Sequence, residues 1–294
     1  MSRSAIPRLA LAATLLAGCG SGGADNPPSS GRWPALDPPS GERAVIWAVG
    51  DGADGSPAAR KVARRIRRGK PDWFLYLGDI YEGDSLSQYR RHYGGVYGRL
   101  NRLTAPTPGN HEWPAHRSGY DRYWSRARGT PPPAYYAFSI AGWRILSLNS
   151  EIAHGPESPQ LRWLGSELRR RRSNCAIAFW HRPRYSAGFH GDQKDIAPVW
   201  RTLEGHAVLV LNAHDHDLQR FRRRDGIVEL IAGAGGHRRY PVDHARKGLA
   251  FADDRHYGAL KLVLRRGQAA FAFVSASGGR LDRGRVRCGP IPAA

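Results

Sequence analysis

The stretch VGDGADGS, from Val49 to Ser56, sets two aspartates and three glycines directly after an apolar run. Such a loop could cradle a phosphate, hold calcium or form one corner of a metal site. A glycine-rich phosphate loop needs a Gly-Lys-Ser/Thr ending, which this segment lacks. A calcium loop needs oxygen donors at alternating positions, and Ala53 takes one of them. More hard-oxygen and imidazole groups sit in other short motifs: Asp79 in GDIY, Asn110 and His111 in GNHE, His181 in WHRP, and His214 and His216 in AHDH. Carboxylate, amide oxygen and imidazole are the ligands that hold hydrolytic cations. Taken singly, each has a plainer role. An aspartate caps a helix, Asn110 fits a turn after Pro108-Gly109, and a lone histidine is most often hydrogen-bonded at a strand end.

The elements that carry these residues follow a pattern. AVIWAVGD is a short buried strand ending in Asp51, and SPAARKVARRIRRG follows as a helix with Val62 and Ile66 on one face. PDWFLYLGD is a second strand with Asp79 at its carboxyl end, and a helix is expected from Ser85 to Leu100. YYAFSIAGWRILSLNS reads as two strands joined at Ala141-Gly142. SPQLRWLGSELRRRR is a helix with Leu161, Leu164 and Leu168 at core spacing, and CAIAFWH and HAVLVLNAHDH are buried strands that both end in histidines. Later strands fall at Ile227–Ala232, Ala259–Arg265 and Ala270–Ser275. Ligands of open α/β sheets gather at the carboxyl ends of strands, where Asp51, Asp79, His181, His214 and His216 all stand. Strand-helix alternation followed by strands in series predicts two stacked sheets with helices outside.

Together GDGA, GDIY, GNHE, WHRP and AHDH resemble the calcineurin-like metallophosphoesterase family. WHRPRYSAGFHGD with AHDHDLQR is most similar to its purple acid phosphatase-related bacterial branch, and the likeness runs on through YGALKLVLRRG and the cysteine near the carboxyl end. The resemblance implies an α/β fold, a four-layer αββα sandwich of two mixed β-sheets flanked by helices. It implies two metal ions, iron with zinc, manganese or a second iron. Asp79 would bridge them, Asp51 and His216 would bind the first, and Asn110, His181 and His214 the second. A metal-bound hydroxide would attack phosphorus, with His111 protonating the leaving group or steadying the transition state. His190, in GFHGD, resembles the phosphate-contacting histidine of purple acid phosphatases. The chain departs from the family at three places. Ala53 stands where many members have a histidine, and Ala213 where glycine is usual. Purple acid phosphatases place a tyrosine ligand three residues after the bridging aspartate, whereas Tyr81 follows Asp79 by two; Tyr81 is taken as a ligand to the first metal, reached if the loop bends, packing beside the site being the alternative.

The amino-terminal segment MSRSAIPRLALAATLLAGC has two arginines, an apolar run from Leu9 to Leu16 and small residues before Cys19. That run is far below the ~20 residues that cross a bilayer, so it reads as an export signal. LAGC resembles a lipobox, which makes residues 1–18 a lipoprotein signal peptide and Cys19 the acylated terminus; an ordinary cleaved signal is the alternative. Residues 19–42 are a Gly/Ser/Pro tether and 43–294 one catalytic domain. In an exported chain the two remaining cysteines, Cys175 and Cys288, are expected to pair, two separate buried thiols being the alternative.

The net charge of +20 attracts anions. Arginine clusters at Arg169–Arg172 and Arg220–Arg224 read as solvated faces, with no specific nucleic acid partner. His154, His237 and His256 read as surface or loop histidines, and Trp113, Trp143 and Trp163 as core or rim. The expected protein is a monomeric, exported, lipid-anchored dinuclear phosphatase at the cell envelope, on its periplasmic or extracellular face, hydrolysing small phosphate monoesters. A phosphodiesterase or nuclease on the same site, and a non-catalytic anion-binding surface lipoprotein, are the alternatives.

Overall fold

The computed structural model describes Trp33 and residues 41–81, 83–170 and 173–290; the signal segment, Cys19 and most of the tether lie outside the described residues. In chain order come β1 (Arg43–Val49), α1 (Pro57–Arg68), β2 (Trp73–Tyr76), α2 (Leu86–Tyr89), α3 (Gly95–Tyr97), β3 (Thr104–Pro106) and α4 (Tyr120–Arg128). Next are β4 (Tyr136–Ile140), β5 (Trp143–Ser147), α5 (Pro159–Arg169), β6 (Ala176–Phe179), α6 (Ala197–Leu203) and β7 (Leu209–Asn212). The chain continues through β8 (Leu218–Phe221), β9 (Val228–Ala232), β10 (Leu249–Asp253), β11 (Gly258–Arg265), β12 (Gln268–Ser275) and β13 (Arg280–Arg287).

The strands form two sheets, ordered β13-β12-β11-β1-β2-β3 and β10-β8-β9-β7-β6-β5-β4. Both are mixed. In the first, β1, β2 and β3 are parallel while β11 runs antiparallel to β1; in the second, β5, β6, β7 and β9 are parallel while β4 and β8 run against them. Strand β1 shows why such strands are apolar throughout. Its Ile46 and Ala48 enter the core between the sheets with Leu75, Ile177, Leu209 and Leu262, whereas Val45, Trp47 and Val49 face the helical side. Both faces are covered, so neither side of the pleat can be polar. Val62 and Ile66 of α1 and Trp124 of α4 cover the first sheet, and Leu164 of α5 and Trp200 of α6 cover the second. The result is the four-layer αββα arrangement.

Local signals set the helix starts. The Ser56 hydroxyl accepts the Ala59 N–H ahead of Pro57, and the Ser158 hydroxyl accepts the Leu161 N–H ahead of Pro159. The helix expected from Ser85 to Leu100 is instead broken into α2, a π turn (Arg90–Gly94), α3 and a 3-10 turn (Gly98–Leu103). Gly94, Gly95 and Gly98 lower helix propensity there, and Tyr89, Tyr93 and Tyr97 hold the segment by packing inward. β3, β8, β10 and β13 carry too little period of their own to be seen in the sequence, whereas α4, which was not foreseen, does set Tyr120, Tyr123 and Trp124 at helical spacing. The edge strand β13, RLDRGRVR, buries only Val286 and is defined by its ladder to β12.

A disulfide joins Cys175, just before β6, to Cys288, just after β13, across a sequence separation of 113. Asn174 N–H to the Gly289 carbonyl (3.0 Å) and Gly289 N–H to Asn174 Oδ1 (2.8 Å) brace the same corner.

Candidate metal centre

Every parallel strand named in the motifs ends at one pole of the sandwich, and the two sheets exchange hydrogen bonds there. Gly50 N–H donates to the Ala232 carbonyl (2.9 Å), and His214 N–H donates to Asp51 Oδ2 (2.8 Å). The turns are so close that only glycine fits at key points. A Cβ on Gly109 would lie 2.1 Å from Asp79 Oδ1. Three of the predicted ligands hold left-handed backbone, Asp51 at φ 54°, Asp79 at 63° and His214 at 72°. Such conformations are costly for non-glycine residues and persist where the surroundings impose them.

Two groups of donors converge here. In one, the Tyr81 hydroxyl lies 3.2 Å from Asp51 Oδ1 and 2.6 Å from His216 Nε2, and those last two atoms are 3.6 Å apart. In the other, His181 Nε2 lies 3.1 Å from Asn110 Oδ1, 3.2 Å from His214 Nδ1 and 3.3 Å from Asp79 Oδ2. Among the described residues, Asp79, His181 and His214 offer ligand atoms that all fall within 4.8 Å of one another. Asp51, Asp79, His181, His214 and His216 are buried. The short GDIY spacing does not keep Tyr81 away. Ile80 forms a bridge with Ala53, Tyr81 N–H donates to the Ala53 carbonyl (3.2 Å), and the phenol then faces Asp51. Ala53 is fully buried, and the Tyr81 hydroxyl stands beside Asp51 and His216.

The donors fit cations for a physical reason. His181 Nδ1–H donates to the Leu77 carbonyl (2.8 Å) and His216 Nδ1–H to the Arg238 carbonyl (2.6 Å), which leaves each Nε2 as a lone pair turned inward. Lone pairs on His181, Asn110 and Asp79 then face one another, and only positive charge reconciles them. Burial disfavours the charged ring of His181, yet the Asp79 and Asp51 carboxylates overcome it and raise its pKa to about 10. In effect a proton takes the place that a cation would fill. Burial, reinforced by repulsion from His181, lowers His214 to about 2, and burial lowers His216 to about 4, so both rings are neutral and available as ligands. Burial and the neighbouring Asp79 charge raise Asp51.

The two predicted substrate-facing histidines border this centre on its open side. His111 is half exposed, with its N–H donating to Asp79 Oδ1 (3.1 Å) and its Nε2 3.8 Å from Asp79 Oδ2. His190 is exposed; its N–H donates to Asp215 Oδ1 (2.8 Å) and its ring stacks on His214 at 4.1 Å. Trp113 is a half-buried rim residue, while Trp143 is buried in the core.

Several neighbours were not foreseen. His237, expected as a loop histidine, stacks on Tyr81 at 3.6 Å and pairs with Asp54 at 3.1 Å, so it backs the phenol. Asp54 also accepts the Ser56 N–H, in keeping with its expected turn role. Glu112 lies buried below the site, with Oε2 accepting the Ile80 N–H (3.1 Å); burial and then Asp79 raise its pKa to about 8. It stands inside the quoted GNHE motif, and a carboxylate there was the available signal. Tyr240 stacks on His216 at 4.1 Å from a segment with no motif at all.

A family model described as calcineurin-like phosphoesterase matches residues 44–218, a span that contains all seven predicted metal ligands. Purple acid phosphatase 13 of Arabidopsis thaliana is 27% identical over 197 residues, 57% of this chain and 35% of that protein. The chain therefore spans about a third of the length of that relative. Among solved structures, a purple acid phosphatase from yellow lupin (Lupinus luteus) seeds superposes with a TM-score of 0.70 at 14% identity, covering 85% of this chain and 55% of that one. GAP50, described as the anchor in the inner membrane complex of Plasmodium, superposes with a TM-score of 0.70 at 13% identity, covering 83% of this chain and 89% of that one. At such identities the two superpositions establish the fold.

Proposed function

Because this chain belongs to the calcineurin-like phosphoesterase family, we propose that it is a dinuclear metal-dependent phosphatase acting on phosphate monoesters. The observation that carries the proposal is the convergence of two buried donor groups, fixed by strained backbone and flanked by two exposed histidines. Asp51, Tyr81 and His216 would hold one cation, Asn110, His181 and His214 the other, and Asp79 both. When bound, such ions supply Lewis-acid stabilisation of phosphoryl charge and make water acidic enough to act as a nucleophile at neutral pH.

The chain's own residues do the rest. The Leu77 and Arg238 carbonyls fix the tautomers and orientations of His181 and His216. His111 stands at the open face, where its ring can deliver a proton to the departing ester oxygen. His190, stacked against His214, can donate a hydrogen bond to a phosphoryl oxygen. The likeness to purple acid phosphatases supports a monoester substrate.

Protein reconstituted with metal is expected to hold two ions per chain, to release phosphate from an aryl phosphate, and to lose turnover to a chelator. Faster turnover of a diester would reassign the site to a phosphodiesterase. One metal or none, without turnover of either ester, would instead favour the non-catalytic anion-binding lipoprotein, since a shared fold does not dictate catalysis.

The export signal and lipobox are the basis for a second proposal, that Cys19 carries a lipid holding the domain at the cell envelope. Cells fed labelled palmitate should label the wild-type protein and not Cys19→Ala; unlabelled wild type would rule the anchor out. Among the described residues no helix is long and apolar enough to cross a membrane.

A further inference from the structure

Phe189 is 71% exposed, and it is the one large hydrophobic side chain so exposed among the described residues. It stands beside the metal centre, 5.2 Å from the ring of Tyr240 and 5.2 Å from that of His190. Those two rings in turn stack on predicted ligands, Tyr240 on His216 and His190 on His214, each at 4.1 Å. Covering such a ring with an apolar group removes both surfaces from water, which favours binding.

Its exposure is imposed by the loop. Ala187 N–H donates to Gln219 Oε1 (2.8 Å), Gly188 N–H to Ser186 Oγ (3.0 Å) and His190 N–H to Asp215 Oδ1 (2.8 Å). Gln219, Ser186 and Asp215 are all buried. A Cβ on Gly188 would fall 2.5 Å from Asp215 Cγ, so the loop also lies tight against its support. Phe189 is thus held out at the rim by a pre-organised backbone, the arrangement expected of a binding residue.

We infer that the substrate carries a planar aromatic group close to its phosphate, an aryl or nucleobase-bearing monoester, which packs on Phe189 and Tyr240 while the phosphate enters between His111 and His190. The inference rests on the phosphatase assignment for the site but names what that assignment leaves open. Offset or edge-to-face contact with two rings is the favoured geometry for such a group.

Two measurements on the metal-loaded protein test it. Calorimetric Kd values for benzylphosphonate and ethylphosphonate, which cannot be hydrolysed, should favour the benzyl compound by about tenfold. Phe189→Ala should cut that preference to about twofold or less, and Phe189→Trp should keep it. In turnover, kcat/KM for benzyl phosphate over ethyl phosphate, whose leaving alcohols are of similar basicity, should show the same preference and the same loss. A larger preference for adenosine monophosphate over ribose phosphate would identify a nucleobase as the aromatic group, and a smaller one an aryl group. Equal affinity for the two phosphonates in the wild type, or a preference that survives in Phe189→Ala, overturns the inference even if both esters are hydrolysed. Benzyl-selective binding lost in Phe189→Ala, with no ester hydrolysed, would uphold the aromatic subsite and overturn the phosphatase assignment.

Discussion

Asp79→Asn will lower kcat/KM for an aryl phosphate by about a thousandfold or more and reduce bound metal below two ions per chain. The asparagine is chosen for its backbone as much as for its charge. Asp79 sits at φ 63°, a left-handed conformation that asparagine tolerates better than alanine does. An amide oxygen can still accept the His111 N–H that now reaches Asp79 Oδ1. The substitution therefore removes the negative charge and one ligating oxygen while leaving the turn in place. The variant should fold and show the near-ultraviolet circular dichroism of the wild type. Metal analysis and initial rates on the same preparation check the result. A variant that keeps two metals and a tenth of the activity would show that Asp79 is not the shared ligand.

Replacing both Cys175 and Cys288 with alanine will lower stability by about 3–5 kcal/mol, because a cross-link across 113 residues removes much entropy from the unfolded chain. For a domain of this size that corresponds to a fall in Tm of roughly 10 °C. The bond lies at the amino end of β6, whereas His181 follows the carboxyl end of the same strand. The disulfide and the metal centre are thus at opposite poles, and kcat/KM at 25 °C should stay within about twofold of wild type. Thermal unfolding of the double variant beside the wild type measures the effect. A change in Tm below about 2 °C would mean that Asn174, Gly289 and the β12-β13 ladder hold the corner unaided.

The contrast between these two sites bears on how much of the molecule could be read from the chain. Apolar strands that end in Asp51, Asp79 or His181 are visible locally, because burial on both faces forces an unbroken run and the functional residue marks where it stops. The helices α1 and α5 announce themselves by a serine cap, a proline and a buried stripe. The segment after Ser85 does not, because three glycines weaken the helix while buried tyrosines retain it, and a local pattern cannot weigh one against the other. Edge strands such as β13 need no apolar period, since their partner supplies the ladder and water covers the rest.

By itself the sequence determined the family, the order of the strands that bear the motifs, and the candidate donor groups within those motifs, all of which are local properties of short runs. Only the tertiary structure decided where the Tyr81 phenol lies. Its spacing from Asp79 departs from the family pattern and left its position open, and the bridge between Ile80 and Ala53 is what turns its phenol toward Asp51 and His216. Tertiary structure likewise brought His237 onto Tyr81, and Tyr240 and Phe189 to the rim, from segments far apart in the chain. Ring stacking across loops depends on where separate strands end in space, and no periodicity along one strand encodes that.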